Sequence, residues 1–380
     1  MSDQPTGGGA ATERLGGTAE DERLVKTSLL RKLLRRPELG AVAGTILVFA
    51  FFGVVADDTG MWSARGIISF LEVSAQLGIL ASAVALLIIS GEFDLSVGSM
   101  VGAAGMVVAI SSTELGWPMW VCILLAFAFS LSVGFLNGLL VVKTGVPSFV
   151  VTLAGLFVLR GATLGIARAI TNRTQIPGLR DLSEGDWLVP IFNSEIFQFA
   201  FTWMAEVGWI QTYRSGKPEV VGLPVEVLWW LGLTALATWI LLRTSFGNWI
   251  FATGGAKEAA RNLGVPVDRV KIILFMATSG AAGLFAVVQV MDTGSADTLR
   301  GLLKEFEAII AVVVGGTLLA GGYGSAIGGM FGALIFGTVS LGIFFTGVDS
   351  DWFKAFVGIS LLIAVLFNNY IRRKVTQVRQ

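Results

Sequence analysis

The sequence predicts an all-α, polytopic membrane protein with about ten transmembrane helices, and three observations support this fold class. Hydrophobic residues make up 54% of the 380 residues and charged residues 14%, whereas a soluble domain carries roughly 25% charged residues. The mean hydropathy of the chain is +0.75. Apolar runs of roughly 20 residues, the length that crosses a bilayer, recur from residue 40 onward. We therefore expect lipid to surround most of the chain.

Ten apolar runs are candidate spans. Only a few small residues join the second run to the third and the eighth to the ninth. The runs lie at about 40–56, 67–90, 95–111, 118–142, 148–168, 226–242, 270–291, 304–320, 325–346 and 352–370.

The spans define a transmembrane domain at 39–371, flanked by cytoplasmic tails at 1–38 and 372–380. The start of the chain is rich in Gly, Thr and acidic residues and has no apolar core. This composition is typical of a disordered tail and atypical of a cleavable signal.

A polar insert at 169–225 separates two of the spans. Its apolar stretch IFQFAFTWMAEVGWI contains Gln198 and Glu206, and it is short and polar for an eleventh span. We expect an amphipathic helix on the outer membrane surface instead, with Trp203 and Trp209 at headgroup depth.

Lys and Arg in the short loops predict the orientation, because cytoplasmic loops carry an excess of both. The opposite loops DDTGMW, STELGW and TGVDSDW contain neither. We therefore expect a multi-pass inner-membrane protein with both termini and the loop 244–269 in the cytoplasm, and the insert in the periplasm. The residues on the cytoplasmic side are Arg31, Lys32, Arg35, Arg36, Lys143, Arg243, Lys257, Arg261, Arg269, Lys271, Arg372, Arg373 and Lys374.

Several functions are excluded by composition. The chain has no His, which excludes imidazole-based catalysis and histidine metal sites. The single cysteine, Cys122, excludes an internal disulfide and a cysteine metal cluster. The sequence contains no G-x-x-x-x-G-K-[ST] motif, so we expect no P-loop ATP site. Lys plus Arg and Asp plus Glu each number 27. The net charge therefore gives no sign of a nucleic-acid partner, and we expect none.

The stretch GEFDLSVGS places two carboxylates, Glu92 and Asp94, between two apolar runs. A charged Asp near the centre of a membrane helix costs about 2.5–3.5 kcal/mol, which Asp94 avoids in part if it caps the helix that follows. Gly91 permits a turn before it. Asp94 is thus either a cap at a helix break or a residue of a translocation path, and Glu92 is either solvated at the cytoplasmic mouth or a residue of the path or its gate.

The loop TSFGNWIFATGGAKEAARNLGVPVDRVK contains a short helix-forming core, AKEAARNLG, which Gly264 is expected to end. Such a helix suits docking into a groove of another protein, although a plain surface helix has the same composition.

Other polar residues within the spans either hydrogen-bond between helices or line a path. Glu305 and Glu307 are near the outer end of their span, where water can reach them. The full set is Glu72, Gln76, Asn137, Arg160, Gln289, Glu305 and Glu307.

Two segments echo each other, VGSMVGAAG at 97–105 and YGSAIGGMFG at 323–332. The echo reflects either close helix packing by small residues or a true internal repeat. The matched residues are Gly98, Ser99 and Gly102 with Gly324, Ser325 and Gly328.

Four segments together resemble the ribose/xylose branch of bacterial ABC-transporter permeases, with xylose-type permeases nearest. They are GEFDLSVGSMVGAAG, VPSFVVTLAGLFVLRGATLGI, FATGGAKEAARNLGV and EFEAIIAVVVGGTLLAGGYGSAIGGMFGALIFG. The resemblance covers most of residues 40–370 in the expected order, and it implies the ABC-importer permease fold.

This resemblance implies three partners: a second permease copy forming a homodimer, a cytoplasmic ABC ATPase, and a periplasmic sugar-binding protein. It also implies that this chain binds no cofactor and that ATP and Mg are used by the ATPase. The implied ATPase-coupling residues are Gly254, Gly255, Glu258, Ala259, Ala260, Asn262 and Gly264. Candidates for the translocation path or its gates are Glu92, Asp94, Ser96, Asn137, Arg160, Gln289 and Glu307.

The sequence therefore predicts the non-enzymatic, membrane-spanning subunit of an ATP-driven importer of a monosaccharide, either a pentose or a hexose. The first alternative is a secondary sugar transporter driven by an ion gradient through membrane-embedded acids. The second is a membrane scaffold or binding protein that transports nothing.

Overall fold

Apolar helices account for most of the architecture in this computed structural model, which describes residues 37–349, 351–356, 358, 359 and 362. The first half of the chain forms five long helices, with a 3-10 turn at Asp57–Thr59 after the first. These helices are α1 (Pro37–Val55), α2 (Ala64–Ile89), α3 (Val97–Thr113), α4 (Met119–Thr144) and α5 (Ser148–Thr171).

The insert folds into short elements. A second 3-10 turn lies at Val189–Ile191. The remaining elements are β1 (Gln175–Pro177), α6 (Leu179–Ser183), β2 (Glu195–Ile196), α7 (Gln198–Glu206) and β3 (Leu223–Pro224). β2 pairs with β3 in an antiparallel ladder.

Between Val225 and Phe345 the chain returns to helices, with one strand that pairs antiparallel with β1. These elements are α8 (Val225–Arg243), α9 (Ser245–Gly255), α10 (Lys257–Asn262), α11 (Val267–Thr293), β4 (Ser295–Asp297), α12 (Lys304–Val314) and α13 (Ala326–Phe345).

Seven helices of the described residues are long and apolar enough to cross a membrane: α1, α2, α4, α5, α8, α11 and α13. The 17-residue α3 is apolar but shorter. The predicted all-α, polytopic class is confirmed. The predicted span at 352–370 and both predicted tails lie mostly outside the described residues.

The predicted span at 304–320 differs from the structure, because α12 has only 11 residues and ends at Val314. Gly316, with φ of 91°, turns the backbone away from helical geometry. An irregular segment then runs to Ser325, whose hydroxyl accepts the Gly328 N–H and begins α13.

The core is centred on α2, which packs against α13, α8 and α11. Ser82 of α2 and Thr234 of α8 share a buried hydrogen bond of 3.0 Å. α4 packs closely on α11 where Gly134 and Gly138 face the backbone of that helix. By contrast, little of α1 and α5 is buried within the protomer, as expected for helices that face lipid or another subunit.

Two glycines of the similar segments, Gly102 and Gly328, lie close to the backbone of the chain just before and just after α12. A Cβ on Gly102 would lie 2.9 Å from the carbonyl oxygen of Arg300, before α12 begins. A Cβ on Gly328 would contact the backbone of Gly315, where α12 ends. The packing explanation of the echo therefore holds at both sites, and α12 is fixed between two glycine contacts.

We predict that Gly328→Ala lowers the free energy of unfolding, since overpacking of this kind costs about 1–3 kcal/mol. Gly232→Ala on α8 is the control, because a Cβ there would meet no described atom within 4 Å and Ala is favoured over Gly in helices by about 0.5–1 kcal/mol. Unfolding of the purified protein in detergent measures both. Equal stability of the two variants would contradict the packing of α12.

Candidate functional site

The membrane core contains a helix break at residues 90–96, between the end of α2 at Ile89 and the start of α3 at Val97. Gly91 adopts φ of 85°, a conformation that favours glycine. The break predicted from the two carboxylates is confirmed. We call residues 90–96 the break.

Hydroxyl groups of α5 satisfy the backbone of the break. The Phe93 N–H donates to Ser148 Oγ and the Leu95 N–H donates to Thr152 Oγ1, each at 3.1 Å. Backbone groups in lipid need protein partners, so the first turn of α5 holds the break in its irregular conformation.

Asp94 is 2% exposed, and three donors reach its carboxylate. The backbone N–H and the hydroxyl of Ser96 donate to Oδ1 at 2.9 and 2.6 Å, and the Thr278 hydroxyl donates to Oδ2 at 3.1 Å. The residue preceding α3 is Ser96, so the expected capping of the helix's first turn by Asp94 is wrong. Asp94 instead closes a local turn and connects the break to α11.

Asn137 of α4 extends this network. Its side-chain N–H donates to Ser96 Oγ at 2.9 Å, and both residues are buried. A Cβ on Gly155 of α5 would lie 3.3 Å from the Asn137 side-chain oxygen. Three of the predicted path residues, Asp94, Ser96 and Asn137, therefore form one connected cluster inside the protomer.

Glu92 forms a buried ion pair with Lys271 of α11. The two residues are 9% and 5% exposed. The expected solvation of Glu92 at the cytoplasmic mouth is therefore wrong. The assignment of Lys271 to a loop is also wrong, because Lys271 lies within α11, which begins at Val267.

Four glycines bring three chain segments into backbone contact, and we call Gly91, Gly254, Gly321 and Gly322 the glycine junction. The Gly322 N–H donates to the Ile89 carbonyl at 2.8 Å. A Cβ on Gly321 would lie 2.8 Å from Gly91 Cα, and one on Gly254 would contact the Ile89 carbonyl. The end of α9 thus rests directly on the break and on the segment that follows α12.

The helix predicted in AKEAARNLG is confirmed as α10, which directly follows α9. Ala260 is buried at 3% exposure, whereas Glu258, Ala259 and Asn262 are exposed. Gly264 follows with φ of 83° and ends the turn as expected. An ion pair between Arg261 and Asp268, with 2.5 Å between nitrogen and oxygen, holds α10 near the start of α11.

A second polar group lies at the start of α12. Glu305 is 1% exposed, so its expected solvation is wrong, and its Oε2 atom has no hydrogen-bond partner among the described residues. Arg160 of α5 and Glu307 are near enough for their charges to act on Glu305. Glu307 pairs with Lys304 at 2.5 Å. Arg160 and Glu307 are only partly buried.

Arg300 connects the chain before α12 to the end of α11. Its guanidinium donates to the Thr293 hydroxyl at 2.5 Å and to the Ser295 carbonyl at 2.7 Å. Burial lowers the pKa of Arg300, while the charges of Asp297 and Asp292 act in the opposite sense. The guanidinium remains charged, since Arg is protonated at every physiological pH.

Gln289 stands apart from both groups. It is partly buried on α11, and no hydrogen bond joins its side chain to either group in the described part of the chain.

Sequence reasoning missed Ser148, Thr152 and Thr278, because a hydroxyl group in a helix is ordinary until its partner is known. The seven path candidates thus fall into a buried network at the break, a half-exposed charged group, and one isolated amide.

Comparison with known proteins gives a consistent assignment. A family model described as "Branched-chain amino acid transport system / permease component" matches residues 66–365. The chain is 33% identical over 365 residues to the xylose transport system permease protein XylH of Escherichia coli (strain K12), covering 88% of this chain and 92% of that protein.

Two further relatives come from the same strain. The ribose import permease protein RbsC is 31% identical over 310 residues, covering 81% of this chain and 87% of that protein. The inner membrane ABC transporter permease protein YjfF is 29% identical over 321 residues, covering 84% and 88% respectively. No solved structure shows significant similarity to the chain.

The buried ion pair generates a prediction about stability. Lys271→Met leaves the Glu92 carboxylate buried without its partner, which costs about 3–5 kcal/mol. Glu92→Met combined with Lys271→Met removes both charges, and we expect the double variant to regain most of that loss. Denaturant unfolding of the purified proteins in detergent measures the four states of this double-mutant cycle. A double variant as unstable as the sum of the two single variants would show that the pair is not coupled.

Proposed function

Because the chain belongs to the permease family described as "Branched-chain amino acid transport system / permease component", we propose that it is the membrane-spanning subunit of an ATP-driven monosaccharide importer. The observation that carries this proposal is the similarity to xylose and ribose permeases over more than four-fifths of the chain. The substrate would be a pentose or a hexose. The chain is a transport subunit and not an enzyme, and ATP with Mg would act in a separate ATPase.

The loop of α9 and α10 would receive the force of that ATPase from the cytoplasm. The exposed Glu258, Ala259 and Asn262 offer a small face for docking, and Gly264 ends the helix with a sharp turn. Force on α10 would pass through Gly254 to the break, because the backbone of Gly254 contacts the backbone of Gly91 in the break. This arrangement supports a coupling role for the loop.

The translocation path would run between two permease copies. α5 is the candidate for the interface, because little of it is buried within the protomer. Arg160 and Glu307, which are partly exposed, would line the path or its gate. Asp94 is 2% exposed and accepts three hydrogen bonds from Ser96 and Thr278, so we assign the buried network to shaping the break.

Membrane placement follows from this proposal. The protein would lie in the bacterial inner membrane with both termini in the cytoplasm. The insert at 169–225 would face the periplasm, where a sugar-binding protein would deliver the substrate. Membrane lipid would cover the remaining apolar faces, and the equal numbers of acidic and basic residues suit a neutral substrate.

Uptake into proteoliposomes tests the proposal. The permease is reconstituted with an ABC ATPase and a secreted sugar-binding protein from the same genome, and labelled xylose, ribose and glucose are compared. We expect uptake of one of these sugars to require ATP inside the vesicle and to persist with an ionophore present.

Two results would reject this function. Sugar uptake without the ATPase, abolished by the ionophore, would establish an ion-gradient-driven transporter. The absence of any ATP-dependent uptake from a complex that hydrolyses ATP would favour a scaffold.

A further inference from the structure

The insert exposes a group of aromatic side chains on and around α7. Phe199 is 78% exposed, Trp203 53% and Trp209 73%. The rings of Trp203 and Trp209 meet edge to face with centroids 5.7 Å apart. Large exposed apolar patches mark interaction surfaces, so this group, which we call the aromatic edge, requires a partner.

The depth of α7 in the membrane follows from the helices beside it. Gln76 of α2 donates to Glu226 of α8 at 3.2 Å, and Ser82 bonds Thr234 further along both helices. α2 and α8 therefore run parallel, with the start of α8 level with Gln76. α8 has 19 residues, or about 28 Å at about 1.5 Å per residue, close to the roughly 30 Å hydrocarbon thickness.

The start of α8 marks the outer edge of the hydrocarbon. The part of α2 that precedes Gln76 therefore extends outward past this edge. From Ala64 to Gln76 this part covers about 18 Å at about 1.5 Å per residue. The region between the start of α8 and the start of α2 thus includes the lipid headgroups.

The chain segments before and after α7 both contact the protein in the region between the start of α8 and the start of α2. Before α7, the strand β2 pairs with β3, directly before Val225, the first residue of α8. After α7, the chain reaches Arg65 at the start of α2, whose guanidinium contacts the Tyr213 hydroxyl at 3.4 Å and the Glu219 carboxylate at 3.8 Å. α7 therefore begins at the hydrocarbon edge and leads toward the headgroup layer.

The charge of α7 favours lipid over a soluble partner. Its sequence, QFAFTWMAE, has one charged residue, Glu206, and no Lys or Arg. The first half of α8 also exposes apolar residues, such as Leu228 and Leu231. Trp rings are favoured at the level of the headgroups.

We propose that the aromatic edge is a lipid-binding surface that inserts into the outer boundary of the bilayer and anchors the insert there. The interaction depends on the burial of Phe199, Trp203 and Trp209 and not on charge, so it is independent of anionic lipid. This proposal rests on the membrane spans and does not depend on the substrate or on ATP.

Site-directed spin labelling of the full chain in vesicles tests the anchor. Phe199→Cys and Trp203→Cys carry the label, and Lys217→Cys, on the exposed hairpin beyond α7, is the aqueous reference. Cys122 is buried and is replaced by Ala, or by Ser if the Ala background folds poorly. The vesicles contain phosphatidylcholine, either alone or with phosphatidylglycerol.

We expect labels at 199 and 203 to be accessible to dissolved oxygen and shielded from a water-soluble nickel complex. Their oxygen-to-nickel accessibility ratio should exceed that at 217 several-fold, equally in both lipids. Nickel accessibility equal to that at 217 would place the edge in water and overturn the proposal.

Two further outcomes would also reject the proposal. Shielding from both reagents, with or without added sugar-binding protein, would assign the edge to a protein interface. A ratio that rises only with phosphatidylglycerol would assign it to charge attraction.

Discussion

The constraint on which the rest of the structure depends is that a backbone interrupted inside a membrane must find its hydrogen-bond partners within the protein. At the break, Ser148 and Thr152 of α5 accept the N–H groups that a continuous helix would have satisfied. The Asp94 carboxylate accepts a third backbone N–H group, that of Ser96. A polar stretch can therefore exist in this apolar chain because three helices, α4, α5 and α11, converge on it.

The break also explains why glycines of three chain segments meet at the glycine junction. A segment without regular helical geometry can be approached closely only where no Cβ intervenes, and Gly91, Gly254, Gly321 and Gly322 provide that approach. The contacts join the end of α9 to both irregular membrane segments. A movement of the α9–α10 loop would therefore reach the break and the end of α12 together, which is the geometry expected of a subunit driven from outside.

Much of this arrangement was predictable from sequence. Acidic residues after a glycine between two apolar runs predicted the break, and AKEAARNLG followed by glycine predicted α10. The burial of Lys271 was not predictable, because a lysine at the very start of the predicted span 270–291 is counted with the cytoplasmic loop and its partner Glu92 is 179 positions away. The early end of α12 was also missed, since hydropathy does not register the backbone contact between Gly315 and Gly328.

We propose that the glycine junction transmits the movement of a partner ATPase, and the substitution Gly254→Ala would interrupt that transmission. Its Cβ would contact the Ile89 carbonyl and the Gly322 amide, whereas a Cβ on Gly232 of α8 would meet no described atom within 4 Å. A backbone clash costs about 1–3 kcal/mol, so we predict that sugar uptake per ATP hydrolysed falls about tenfold in Gly254→Ala and is unchanged in Gly232→Ala. Wild-type coupling in a folded Gly254→Ala complex would contradict the account.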